Sequence, residues 1–464
     1  MKPSPPSAVL RSTFHWVGTE ILPSLLAAMV CIGAISRANA QSYTFTTLAG
    51  FAGQIGDSDG TNSAAHFNFP AGITVDRLGN LYTAEILNHT IRKITPVGTN
   101  WVVSTIAGLA GVPGSADGTN SEARFDHPNG VTIDAAGNLF VVDHYNHTIR
   151  KVALLGTDWV VSTVAGFAGQ RNHDDGTNSD ARFYSPTGIA VDDEGNLNVT
   201  DTLNFTIRKI APVGIDWVVT TPVGVALDYG FIDGTNTAAR FDFPYDISWS
   251  AGKFYVSDSG NNAIRQIAVS GPDWIVTTIA GFSGGFGSVD GTAKKAKFNF
   301  PIGIVADQEG VVYVADQNNH TIRRLTPPRP PPPNADWMVS TIGGAALQPG
   351  SSDGTGSSAL FNKPWGITLD RAGNLYVADY ANHIIRKGVP PWGPIPTLQI
   401  ELAGNQAVLS WPSSASNYVL ETQLTLVPGQ PWSSLTNGIT LVSGRFMLNR
   451  PLTSASGIYR LRRS

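Results

Sequence analysis

Four histidines, His89, His147, His320 and His383, recur in one context, an Asn-His pair followed by an Ile-Arg pair, and are the first candidates for metal chemistry. A zinc centre needs three or four ligands converging on one point, which four equivalents spread along a chain do not supply by themselves. Six Asp-Gly-Thr triplets, at Asp59, Asp117, Asp175, Asp233, Asp290 and Asp353, suggest calcium, but their spacing is not that of an EF-hand loop. They read instead as a turn followed by one helical turn, with Asp or Thr as the cap. The only cysteine, Cys31, lies in an apolar N-terminal stretch and leaves no thiol nucleophile once that stretch is removed. Neither a nucleophile elbow in a strand–turn–helix setting, a Walker loop nor a dinucleotide fingerprint occurs.

More specific chemistry is expected where equivalent positions differ. Pro70, Pro128, Pro186, Pro244, Pro301 and Pro364 each open a similar segment, but their neighbours vary. Before the proline stand Phe69, His127, Ser185, Phe243, Phe300 and Lys363; after it stand Ala71, Asn129, Thr187, Tyr245, Ile302 and Trp365. Neither set contains a carboxylate, and the aromatic, neutral character suits contact with a peptide, protein or sugar. The candidate ligand-binding residues are therefore Phe69, His127, Asn129, Phe243, Tyr245, Asp246, Phe300 and Trp365. A competing reading takes Asp246, His127 and Asn129 as ligands of a zinc or calcium ion in a lyase or lactonase-like hydrolase. The expectation adopted is no cofactor and a binding role.

The elements that position these residues come from internal repetition. Copies begin at Thr47, Thr105, Thr163, Thr221, Thr278 and Thr341. Each encodes four strands: a (as in GVTID), b (NLFVVD), c (HTIRKV) and d (WVVSTIAG). Four short strands cannot bury both faces alone, whereas radial stacking does so, giving an all-β, six-bladed β-propeller. The a–b–c cassette occurs six times, the last without a following d strand, while a spare d-like strand, Tyr43 to Leu48, precedes the first. The N-terminal strand is expected to complete the last blade and close the ring. By strand parity the long d-to-a loops and the b-to-c turns share one face, and long loops retained in every copy suggest a built surface. The histidines then begin strand c, away from the axis, and should not converge; a bond to the loop or to the strand-b Asp is expected. The recurrent Arg92, Arg150, Arg208, Arg265, Arg323 and Arg386 suggest a blade-to-blade role through partners such as Asp143 or Asp201.

The cassette resembles the NHL repeat, and residues 364–387 (PWGITLDRAGNLYVADYANHIIRK) follow that pattern almost without departure. The resemblance covers about residues 43–390. The longer unit, with DGTNSxARF ahead of the cassette, is similar to the NHL region of teneurins. It implies a six-bladed propeller acting as a binding platform, although some related propellers are lyases or lactonases. The fourth copy departs most: Asp246 replaces the glycine seen as Gly72, Ser250 the aspartate seen as Asp76, and Asn262 the histidine. Copy three has Phe205 at the histidine position, and copy one has Glu85 where the others carry Asp.

Outside the repeats, residues 1–40 read as an export signal. Lys2 and Arg11 precede the apolar run LLAAMVCIGAI, and Ala38-Asn39-Ala40 is a small-x-small cleavage site. That run is too short to span a bilayer, so a secreted, periplasmic or cell-surface protein without a membrane span is expected. A net charge of −4 with no basic block gives nucleic-acid binding no support. A monomer is expected. The Pro-rich stretches PPRPPPPNAD (327–336) and VPPWGPIP (389–396) read as a stiff surface loop and a linker over 391–396. Residues 397–464 read as six short strands of a small β-sandwich.

Overall fold

The computed structural model describes residues 42–328, 336–391 and 398–463, except 404–405, 413–417, 424–432, 436, 444 and 452–457, together with 7–10 and 30–33. The proline-rich 329–335, most of the linker and the expected cleavage site lie outside the described residues. The chain divides into two compact units, one of residues 40–393 and one of residues 1–39 with 394–464.

The first unit is a six-bladed β-propeller. In blade one, strand a is Pro70–Val75, b Leu81–Glu85, c Thr90–Val97 and d Asn100–Gly108. Blades two to five repeat this antiparallel order from their own copies. Blade six takes strands a to c from Pro364–Leu369, Leu375–Asp379 and Ile384–Val389 and its fourth strand from Thr44–Ala49, paired antiparallel to strand c. The edge left open by the missing d strand is thereby filled.

Each blade has five strands rather than the expected four. The Gly-Thr of every DGT triplet, such as Gly60–Thr61, adds a two-residue strand outside d. A 3-10 turn follows at Asn62–Ala64, and Thr61 makes no capping hydrogen bond with its side chain. The triplet's aspartate has another task. In blade one Asp59 accepts Arg92 Nη2 at 2.9 Å, while Arg92 Nη1 donates to Glu85 at 2.7 Å. The same arginine reaches the carbonyls of Ser58 and His66 and lies over the Phe67 ring. The arrangement recurs in all six blades. The expectation of a blade-to-blade arginine is therefore corrected: the cation ties strands b, c and d to the incoming loop within one blade.

Packing between blades is done by apolar clusters and by the main chain at the axis. Tyr82 and Ile91 of blade one, for instance, share a cluster with Phe125 and Val131 of blade two. Nearest the axis, a Cβ on Gly72, Gly130, Gly303 or Gly366 would come within 2.4 Å of a carbonyl oxygen on or just before the next blade's strand a. For Gly366 that oxygen belongs to Ala71, so blade six meets blade one and the ring is complete.

In the second unit, Gln399–Ala403, Gln406–Pro412, Arg445–Pro451 and Thr440–Val442 form one sheet. Tyr418–Gln423, Ile458–Arg463 and a strand the sequence did not suggest, Ser433–Leu435, form another with Ser7–Leu10 and Val30–Gly33. Leu409 and Leu448 of the first sheet share one apolar cluster with Leu420 and Leu461 of the second.

Candidate ligand-binding site

The repeat histidines set the geometry of the long-loop face. His89 Nδ1 accepts the backbone N–H of His127 in the next blade at 3.1 Å, and His147, His320 and His383 do the same for Ser185, Lys363 and Phe69. Asn262 uses its Oδ1 on Phe300 N at 2.8 Å. Phe205 offers no acceptor and instead meets Phe243 edge-on, with ring centroids 5.6 Å apart. The residues these groups hold, Phe69, His127, Ser185, Phe300 and Lys363, all have φ between 48° and 56°, as does Phe243. The latch satisfies an otherwise orphaned N–H and holds five of the six pre-proline residues in place.

Strand-b carboxylates fix the same loop from below. Asp143, for example, accepts Asp126 N on one oxygen and Asn146 and Arg150 on the other. The b-to-c asparagines are also engaged: Asn88 Nδ2 donates to the Gly56 carbonyl at 2.8 Å, and Asn146, Asn204 and Asn319 make the equivalent bond. These buried amides belong to Asn-x-Thr triplets that match a glycosylation sequon, so the folded chain withholds them.

At the axis, the residues after the prolines nearly fill the channel. Asn129, Thr187, Tyr245, Asp246, Ile302 and Trp365 line a cavity with about 30 Å³ open to water centres, enough for about two waters at 10–15 Å³ each. Trp365 Nε1 donates to Asn129 Oδ1 at 3.2 Å, and its ring stacks on Tyr380 at 4.4 Å. Tyr245 lies edge-on to Trp365 at 5.4 Å and to Phe300 at 6.1 Å, while Phe69 reaches Tyr380 at 4.6 Å. An aromatic arc, Phe69–Tyr380–Trp365–Tyr245–Phe300, therefore crosses the mouth.

Not every sequence candidate joins it. Phe243 is 38% exposed and packs outward on Phe205. His127 is absent from the cavity lining; it tilts over Tyr145 at 4.2 Å and bonds Asp126. The proposed metal set of Asp246, His127 and Asn129 is thus split, with only Asp246 and Asn129 in the channel. Sequence reasoning missed Tyr380 and Tyr145, which stand in the b-to-c turns. These turns also vary from copy to copy, and strand parity places them on the same face as the prolines.

Asp246 is the only carboxylate lining the cavity. Burial pushes its carboxyl up to about 7, against the opposing pull of the N–H groups of Ile304 and Ile247. No cation appears among the groups that shift it. A raised pKa means that the folded state keeps a proton the unfolded chain releases near pH 4. Stability should therefore fall as pH rises from about 4 to 7, by on the order of 3–4 kcal/mol, and then level off. Asp246→Asn should remove that part of the slope and leave the part owed to Asp143, Asp258 and Asp379, read as the change in urea midpoint between pH 5 and pH 8. An unchanged slope would show that the carboxylate is not the source.

A ring of six repeat-built blades, latched across one loop face, defines the class: a six-bladed β-propeller. The chain carries NHL repeats, for the family model described as NHL repeat matches residues 125–152, 183–210, 298–325 and 361–387. Blades one and four, the copies with Glu85 and Asp246, fall outside those ranges. NHL repeat-containing protein 2 of Gallus gallus is 30% identical over 353 residues, 68% of this chain and 46% of that protein. Teneurin-m of Drosophila melanogaster is 24% identical over 279 residues, 53% of this chain and 10% of that protein. The chain thus spans less than half the length of either relative. Among solved structures, an auxiliary nutrient binding protein from Bacteroides ovatus shares the fold with a TM-score of 0.55 and 18% identity, over 75% of this chain and 77% of the other. A protein of unknown function from Bacteroides thetaiotaomicron gives 0.57 and 17% over 82% and 89%. Among the described residues, no helix is long and apolar enough to cross a membrane.

Proposed function

We propose that this chain is an exported binding scaffold whose long-loop face docks a protein or peptide. The observation that carries this reading is the contrast between channel and rim. The channel pocket lined by Asn129, Tyr245 and Trp365 has room for about two waters. The rim instead exposes apolar side chains at equivalent loop positions: Phe51, Leu109, Phe167 and Phe282 are 51%, 40%, 48% and 37% exposed. Exposed aromatics held on a rigid frame are what interface hot spots are made of.

A random displayed peptide library and a glycan array, both probed with the propeller, test the reading. Peptides should be enriched, and the triple variant Phe51→Ser, Phe167→Ser, Phe282→Ser should bind them more than tenfold more weakly. Tyr245→Ala with Trp365→Ala should weaken the same peptides if the mouth is part of the footprint. Binding to glycans alone would replace the ligand class, and silence on both arrays would refute the scaffold role.

Export is part of the same proposal. Cleavage after Ala40 would leave the closing strand Thr44–Ala49 intact and would take Ser7–Leu10 and Val30–Gly33 from the sheet of the second unit, which keeps its strands Ile458–Arg463, Tyr418–Gln423 and Ser433–Leu435. Expressed with its full leader, the exported protein should begin at Gln41 by intact mass; retention of residues 1–40 would overturn this.

A further inference from the structure

The histidines that the repeat was expected to keep apart do meet, once. His89, Asp126 and His127 each bring a ligand atom within 4.8 Å of the other two, and they are the one group of this kind among the described residues. The reason lies in the latch. Its acceptor in blade one is His89, and the residue it holds is His127, preceded by Asp126. Three variable choices must coincide at one blade junction, and they do so only between blades one and two: Tyr184-Ser185, Asp242-Phe243, Asn299-Phe300, Asn362-Lys363 and Asn68-Phe69 stand at the others. Asp126 Oδ1 lies 2.6 Å from His127 Nδ1 and 3.7 Å from His89 Nδ1, so the carboxylate is set between two imidazoles. The His89 and His127 rings meet edge-on with centroids 4.9 Å apart. Asp126 and His127 keep 30% and 25% side-chain exposure, so an ion has a path from solvent.

We propose that His89, Asp126 and His127 form a binding site for a divalent transition metal ion of the zinc class. Two imidazoles and one carboxylate are a borderline N/O donor set, suited to zinc, cobalt or nickel rather than to calcium. Three protein ligands leave a fourth position open, and here it faces the loop surface. His127 Nδ1 and Asp126 Oδ1 face each other at 2.6 Å, and an ion bound between them would replace that hydrogen bond. The His89 nitrogen nearest Asp126 also serves the latch, so the ion competes with one backbone N–H at this junction. This site is separate from the channel set of Asp246 and Asn129, and it stands or falls independently of the scaffold reading.

The repeat itself supplies variants that spare the fold. His89→Asn installs the group that Asn262 uses for the same latch, and His127→Phe installs the residue found at Phe69, Phe243 and Phe300. The full chain, free of any histidine tag and stripped with chelator, is titrated with Co²⁺ by absorption and with Zn²⁺ by calorimetry. The expected result is one ion per chain, and at least a tenfold loss of affinity in either variant. His320→Asn, at a junction with no second histidine, should bind as the parent does. Absence of stoichiometric binding, or affinity unchanged in His127→Phe, overturns the proposal.

Discussion

Phe45→Val and Gly388→Ile are each expected to destabilise the propeller alone and to rescue one another when combined. In blades one to five the second residue after the recurrent arginine on strand c is aliphatic: Ile94, Val152, Ile210, Ile267 and Leu325. It pairs with a valine on strand d, as Ile94 does with Val103 and Leu325 with Val339. In blade six the corresponding pair is Gly388 and Phe45. The volume has moved from strand c to the N-terminal strand. Phe45 is fully buried, lies edge-on to Phe361 at 5.0 Å, and passes so close that a Cβ on Gly388 would meet its ring at 2.4 Å. A Cβ on Gly343 in blade five would meet the same ring at 2.4 Å. Phe45→Val leaves a cavity costing about 2–3 kcal/mol, and Gly388→Ile overpacks by about 1–3 kcal/mol or more. The double variant restores the pair that five blades already use, so a coupling of about 1–3 kcal/mol should appear in a double-mutant cycle on denaturant midpoints. Strict additivity would mean that the N-terminal strand does not seat in blade six in solution.

That exchange was available in the sequence, since Gly388 breaks an otherwise apolar column and Phe45 has no counterpart in the other d strands. Blade count, strand order and closure were legible for the same reason: they follow from what every copy shares. The site was less legible because it depends on what the copies do not share, read across neighbours. The arc through Tyr380 and Trp365 joins a turn and a strand start of one blade to Tyr245, 120 residues away in blade four. Nothing in either local segment announces the meeting. His89 and His127 lie 38 residues apart, and only knowing that strand c of one blade latches the next would have paired them. Arg150 was misassigned for a related reason. Its second carboxylate, Asp117, sits on a loop that arrives from the previous blade but pairs with the blade it enters. Recurrence alone cannot distinguish a contact within a blade from one between blades.

Arg150→Met is expected to cost about 3–5 kcal/mol, while Asp117→Asn should cost no more than about 1 kcal/mol. The two carboxylates on this arginine look alike in a contact map, at 2.6 Å for Asp143 and 2.7 Å for Asp117. Their surroundings differ: the Asp143 side chain is fully buried, and that of Asp117 is 49% exposed. Water compensates Asp117 when the cation is lost, but nothing solvates Asp143. Burial already pushes the Asp143 carboxyl up to about 6, with the Arg150 guanidinium, Asn146 and the Asp126 N–H pulling it down. Removing the cation pushes it higher still, so the variant's folded state binds a proton at a pH where the parent does not. The linkage then has a definite sign: the penalty of Arg150→Met is largest at pH 8, where Asp143 must be ionised or protonated at a cost, and shrinks as pH falls through 6 toward 5. Asp117→Asn should show no such trend. Urea midpoints of both variants at pH 5 and pH 8 check this, and a penalty for Arg150→Met that is small at both pH values would mean that the arginine and all its bonds, to Asp143, Asp117 and the carbonyls of Ala116 and Arg124, contribute little to stability.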